Sequence, residues 1–211
     1  DYRLAGIMRL PPPAQIAAPA AAFALSSLLT FSTLGPIPSA LADGDTASFR
    51  FPPIDRAKKN RCTFASSAMG QANAARDSLY DLRECKMSSK DASTYDLSGA
   101  LMADGDFSKV NFKEAQLSKV FAPGAIFDGA DFTNGIVDRA YFKGASFEGA
   151  IFSNAVLSGS SFENANLKNA DFTDAYIGDF DLRKLCKNPT LTGENPSTGA
   201  PTRESAGCAN R

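Results

Sequence analysis

No histidine and no tryptophan occur anywhere in this chain of 211 residues. The absence of histidine removes the common tools of catalysis near neutral pH: the Ser-His-Asp and Cys-His constellations, the imidazole general base, and metal sites built on imidazole nitrogen. The four cysteines include no C-x-x-C pair, which argues against a zinc site. Carboxylates remain as candidate acids and bases, yet Asp128, Asp138, Glu148 and Glu163 fall on different sides of the repeat described below and form no convergent pair. We therefore expect no enzyme, no cofactor and no bound metal. Neither sign of charge dominates: 22 basic residues stand against 23 acidic ones, a net charge of -1. Such a balance suits neither a nucleic-acid-binding surface nor an acidic imitation of one, so nucleic acid is set aside as a partner.

What the sequence does have is a register. From Tyr95 to Lys184 it repeats every five residues without insertion or deletion. Counting in fives from Leu97 to Leu182, every central position is apolar, including Phe107, Phe112, Phe127, Phe132, Phe142, Phe147, Phe152, Phe162 and Phe172. Two residues before each centre the side chain is nearly always small, as at Ala100, Gly105, Ala130 and Ser160. Residues two apart on an extended chain point to one side, so the small residue and the large centre face inward while their neighbours face water. Five is neither the helix period nor a plain strand period. It fits a chain that runs straight for about three residues and turns a corner in the next two, a solenoid of short strands. Sorting the centres at a spacing of twenty gives an aliphatic column, Leu97, Leu117, Val137, Leu157 and Ile177, and an aromatic one, Phe112, Phe132, Phe152 and Phe172. That segregation predicts four sides per coil and about 4.5 coils, roughly 22 Å of rod at about 4.8 Å per layer. Asp104-Gly105-Asp106 looks like the opening of a calcium loop, but Gly105 is an inward small position, and the register accounts for all three.

Ala130-Asp131-Phe132-Thr133-Asn134 and Ala165-Asn166-Leu167-Lys168-Asn169 resemble the A(D/N)LXX unit of the pentapeptide-repeat family. The resemblance implies a mainly β fold, the right-handed quadrilateral β-helix, and no established catalytic activity. Asp81-Leu82-Arg83-Glu84-Cys85, the stretch from Val156 to Ser160, Asp181-Leu182-Arg183-Lys184-Leu185-Cys186 and Gly70-Gln71-Ala72-Asn73 resemble the thylakoid-lumenal members of the family in plants and green algae. That narrower likeness implies the chloroplast thylakoid lumen.

The flanks divide the rest. Residues 1–42 carry Arg3 and Arg9, an uncharged apolar run from Ile16 to Leu34, and Ala40-Leu41-Ala42 before Asp43, the layout of a cleavable export or thylakoid-transfer signal. A retained anchor is the other reading, since nineteen apolar residues can just span a bilayer; any membrane contact would then run through this segment. Residues 43–94 read as a linker and N-terminal cap. Within them Ala65, Ala68, Ala72, Ala75 and Leu79 form the apolar stripe of a capping helix, and residues 80–94 read as a degenerate coil or a loop. The repeat solenoid occupies 95–184 and a C-terminal cap 185–211. Cys62 and Cys85 lie before the clean repeat, Cys186 and Cys208 after it. Four cysteines allow three connectivities; pairing within each flank is favoured, because the rod holds the flanks roughly 20 Å apart. Structural staples and a redox switch are both open.

The residue just before each centre is ordinarily polar in such units, yet two adjacent sides break that rule. One carries Ile136, Val156 and Tyr176, the next Leu101, Phe121 and Tyr141. An exposed apolar strip of this kind marks a contact surface for a protein partner, a photosynthetic membrane complex being the kind a lumenal address suggests, unless the chain's own flank folds over it. The reading is a non-catalytic interaction or scaffold module of the lumen. The alternatives are a redox-responsive lumenal regulator acting through its disulfides and, against the neutral charge, a DNA-mimicking regulator of an enzyme.

Overall fold

The computed structural model describes residues 51–66 and 80–208. The export segment and most of the expected capping helix lie outside the described residues; Ala65 itself is not helical. Among the described residues no helix is long and apolar enough to cross a membrane.

Parallel bridges tie each residue before a centre to the residue twenty positions on, from Asp81 with Leu101 to Val156 with Tyr176. A turn of the chain is thus twenty residues long and has four sides of five. We label the sides by their centres: side A holds Leu82, Met102, Ala122, Phe142 and Phe162; side B, Met87, Phe107, Phe127, Phe147 and Leu167; side C, Ala92, Phe112, Phe132, Phe152 and Phe172; side D, Leu97, Leu117, Val137, Leu157 and Ile177. Each rung is a single-residue bridge, and no longer strand forms among the described residues.

The corner has its own chemistry. The second residue after each centre from Leu82 to Phe172 sits in the left-handed region, whether it is Asn134 (φ 58°), Asn169 (φ 59°) or Gly129 (φ 65°), and glycine, asparagine and aspartate tolerate that conformation best. An Asp or Asn before the centre accepts a hydrogen bond from the amide two residues on, as Asp96 does from Ser98 (2.9 Å) and Asp171 from Thr173 (2.8 Å). This local bond is the physical content of the acidic or amide residue in the repeat unit.

Inside, like residues stack. The side C rings follow one another at 5.0, 4.8 and 5.1 Å from Phe112 to Phe172, and those of side B at 5.3 and 5.0 Å from Phe107 to Phe147. Burying a ring of this kind stabilises by about 1.5–3 kcal/mol, with a further increment from offset stacking. Two inward residues per side leave no room for two large ones. A Cβ added to Gly105 would stand 2.4 Å from the Phe107 ring, which settles Asp104-Gly105-Asp106 as a packing feature; Asp106 binds the amide and hydroxyl of its own Ser108.

The limits of the coil differ from the expected 95–184 at both ends. Residues 81–94 are a regular turn, with Leu82, Met87 and Ala92 fully buried, so the bridged positions from Asp81 to Tyr176 make five turns. The large residues Tyr80 and Lys90 fit there because the first turn is open below. The Tyr80 hydroxyl reaches the carbonyl of Thr63 and the amide of Ala65, while the Lys90 ammonium reaches the carbonyl of Cys62. At the other end Asp179–Leu185 winds into helix α1, with Asp179 and Asp181 in its first turn and Arg183 and Lys184 in its last, the charge order that a helix dipole favours. Leu182 is therefore a helix residue and not a coil centre, and Phe180 points to solvent.

Both ends are closed by flanks. Below, the Phe64 ring packs 5.8 Å from Phe112, beside the space left where the aromatic column begins on the small Ala92, and Cys62 is joined to Cys85 with Cα atoms 5.4 Å apart. Above, residues 186–208, with the short helix α2 (Thr202–Ser205), fold over the last turn; Leu191 and Cys208 are buried, and Cys186 is joined to Cys208. The cysteines thus pair within each flank, at sequence separations of 23 and 22.

Candidate functional site: the apolar columns of sides A and D

Side A carries Asp81, Leu101, Phe121, Tyr141 and Ser161 outward; side D carries Asp96, Gln116, Ile136, Val156 and Tyr176. The register places these residues in two vertical columns, as expected from the sequence, but the two do not share a fate. On side A, Phe51 from the N-terminal flank lays its ring 4.9 Å from that of Phe121. The Arg83 guanidinium binds the carbonyl of Pro52 (2.9 Å) and lies over the Phe51 ring. Leu101, between Asp81 and Phe121 in the column, is 2% exposed. Tyr141 is half-buried and stacks on Phe121 at 5.4 Å. Leu101 and Phe121 are therefore no free contact surface, while Tyr141, beyond the reach of the Phe51 contact, stays half-buried at the upper edge of the covered patch. An apolar column beside a flank that carries its own aromatic ring is covered by that flank, because doing so removes both from water at once.

The flank is anchored by charge as well as by rings. Arg83 binds both carboxylate oxygens of Asp81, the closer at 2.6 Å, and Arg61 bonds the Arg83 carbonyl. Burial pushes the Asp81 carboxyl up, but the hydrogen bonds and charge of Arg83 outweigh it and hold the group below the usual carboxylate range. Arg56 pairs with Glu84 nearby.

Side D is open. Ile136 is 41% exposed, Tyr176 is 65% exposed, and Val156 between them is half-buried. Phe180, 61% exposed, follows just beyond at the start of α1. The sequence reading missed two apolar surface residues. Phe180, two before Leu182, falls at what the five-residue register makes an inward position, and Ile126 on side B, 41% exposed, stands alone in a column otherwise polar. The outward carboxylates do not converge: Glu163 pairs with Lys143 (3.0 Å), Glu148 with Lys168 (3.3 Å), Asp138 with Ser118 and Arg139. Among the described residues no group of carboxylates and cysteines could hold a metal ion.

A family model of pentapeptide repeats matches residues 96–134 and 137–174 in eight copies. Among solved structures, a pentapeptide repeat protein of the Arabidopsis thaliana thylakoid lumen is 28% identical over 61% of this chain and 91% of its own, with a TM-score of 0.32. A pentapeptide repeat protein of the cyanobacterium Cyanothece 51142 is 22% identical over 51% of this chain and 66% of its own, TM-score 0.23. The plasmid-mediated fluoroquinolone resistance protein QnrB1 is 20% identical over 44% of this chain and 65% of its own, TM-score 0.24. No curated protein matches the chain.

Proposed function

Through residues 96–134 and 137–174 this chain belongs to the pentapeptide-repeat family, and from that premise we propose that it is a non-catalytic interaction module of the thylakoid lumen, whose side D docks a protein partner. The four-sided coil is then the right-handed quadrilateral β-helix of its family. The observation that carries the reading is the open column of Ile136, Val156 and Tyr176. Placing apolar residues there forgoes the corner bond that an Asp or Asn would make, as Asp96 does at the foot of the same column. The coil thus gives up that bond and leaves much of their surface in water, whereas desolvation by a partner would recover the apolar area still exposed. Tyr176 offers large contact area at low rotamer cost. The lumenal address is supported by the two disulfides, which persist in oxidising compartments, and by the export-like layout of residues 1–42.

A photocrosslinking residue placed at position 136, with one at the side C corner position 114 as control, tests this reading in thylakoid extracts. One partner trapped from position 136 and not from 114 supports it; equal trapping from both, or none, overturns it. A second reading, a redox-responsive regulator, is favoured by one observation. Cys62–Cys85 anchors the flank whose Phe51 covers side A, so reduction would uncover Phe121 and Leu101. It predicts that dithiothreitol creates a partner contact at position 121 that the oxidised protein lacks.

A further inference from the structure

The fifth turn lacks a layer above side A. In the turn below, Phe142 donates its amide to the Ser161 carbonyl (2.9 Å), Gly144 donates to the Glu163 carbonyl (2.8 Å), and Ser161 donates back to the Ala140 carbonyl (2.9 Å). Those three bonds are how one rung receives the next on this side. One turn higher, the corresponding groups are the amides of Phe162 and Asn164 and the carbonyl of Ser160. The residues that would have answered them in register have wound into α1, whose carbonyls are committed along the helix axis, as Gly178 to the Leu182 amide and Leu182 to the Cys186 amide. None of the three groups on side A is bonded within the described residues.

The C-terminal cap treats the neighbouring sides differently. On side B the Leu167 amide donates to the Thr190 hydroxyl (2.8 Å) and the Asn169 amide to the Thr192 carbonyl (2.8 Å), so both rung positions are filled by the protein itself. On side C the Phe172 amide donates to the Ser205 hydroxyl (3.1 Å). Over side A there is instead a cavity of about 680 Å³, between Phe162 and α1, with Leu157, Ile177 and Leu185 among its apolar walls. Its size lies in the range of ligand sites, roughly 300–1,000 Å³. Its floor is the Phe162 ring, stacked on Phe142 at 5.4 Å below and only half-buried for want of a neighbour above.

We propose that this cavity is a socket for an extended peptide segment of another protein, which supplies the missing rung of side A. The register dictates the fit. One peptide residue accepts the Phe162 amide on its carbonyl and donates its own amide to Ser160. The next points a large apolar side chain down onto the Phe162 ring. The third accepts the Asn164 amide. This is strand addition at an open edge, with main-chain bonds giving affinity and the single inward pocket giving selectivity for an apolar middle residue. Lys184 and Lys187 on the rim are balanced by Glu163 and Asp181, so side-chain charge does not choose the peptide. The site is separate from side D and stands or falls independently of it.

The probe is a capped synthetic peptide with the sequence of residues 139–145, the side A rung one turn below that of Phe162, added to the full-length ¹⁵N-labelled protein. The expected result is saturable shifts of the Phe162 and Asn164 amides and slowed hydrogen exchange at both. Replacing the peptide's Phe142 by Ser should weaken binding by about ten- to a hundredfold, the loss expected when a buried ring is removed. Absence of saturable binding into the millimolar range overturns the proposal. So do shifts that spare both amides, or strong protection of those amides in the free protein. Sodium decanoate is the comparison ligand: if it binds and the peptide does not, the cavity is a lipid site and the peptide assignment is wrong.

Discussion

Sides A and D depart from the repeat in the same way, yet one is closed and the other open. Both place aliphatic and aromatic residues where Asp or Asn would secure the corner. Side A hands its column to the chain's own flank, through Phe51 on Phe121 and Arg83 on Pro52. Side D has no such cover among the described residues, and Ile136 and Tyr176 remain in water. An apolar column on a coil of this kind is therefore not a binding site by composition alone. What decides is whether a flank with a matching ring passes over it.

The core is common to both sides and sets the scale for every other change. Phe152 stacks between Phe132 at 4.8 Å and Phe172 at 5.1 Å. Phe152→Ala should cost about 3–5 kcal/mol, since neighbouring rings on a fixed lattice cannot close the cavity. Chemical denaturation measures it; a loss under about 1 kcal/mol would contradict the stacked register. Next in size, replacing Cys62 and Cys85 together by Ser should cost about 3 kcal/mol, from a loop of separation 23. It should also free the flank over side A, read as faster tryptic cleavage after Lys58 and Lys59. Unchanged cleavage would show that Phe51 and Phe64 hold the flank without the bridge.

How much of this could be read from the sequence follows from where the physics is local. The five-residue period, the columns and the inward small residues were legible because each unit obeys the same steric rule, and the ring stacks of sides B and C fall where the spacing of twenty puts them. The cysteine pairing was legible because a rigid coil separates the flanks. The coil's ends were not. Tyr80 and Lys90 break the small-residue rule, but they do so at an open end where large side chains run out to the cap; and at Phe180 and Leu182 the period continues in the letters while the charge order of Asp179 to Lys184 favours a helix. The cover over side A was also hidden, since a lone Phe51 in a polar linker gives no signal until the fold brings it to Phe121. Nor could the caps on the top edge be foreseen: Thr190, Ser205 and Asn195, which bonds the carbonyls of Gly149, Ala150 and Asn169, belong to no repeat.

Phe51→Ala removes the cover itself and should cost about 1–2 kcal/mol, less than a core ring because Phe51 is only half-buried. If the side A column then stays dry, as judged by unchanged binding of a hydrophobic dye, the flank is not its cover. Acid should loosen the same contact by another route. The Asp81 carboxyl lies below the usual range in the folded protein; its pairing with Arg83 therefore stabilises fully above the ordinary carboxylate value of about 3.9 and fades as pH falls through the lower folded value. Between these limits wild type should lose stability relative to Asp81→Asn, and tryptic sensitivity at Lys58, assayed after a pulse of acid and fixation, should rise in wild type first. Parallel pH profiles for the two proteins would remove Asp81 from the account.

The smallest expected effect is the one that separates the two sides most sharply. Ile136→Ser with Tyr176→Ser should change stability by no more than about 1 kcal/mol, because both side chains are exposed, at 41% and 65%, and neither corner loses a bond it had. The same exchange on side A, Leu101→Ser, should cost several times as much, since Leu101 is 2% exposed and a hydroxyl there would be buried. Matched thermal melts of the two variants make the measurement. Equal losses would mean that side D is closed in the native protein, and the proposed contact surface would then have to be sought elsewhere. A small loss on side D with a clear one on side A leaves Ile136 and Tyr176 as apolar residues that folding does not require, and partner capture by that same double variant becomes a test of binding alone.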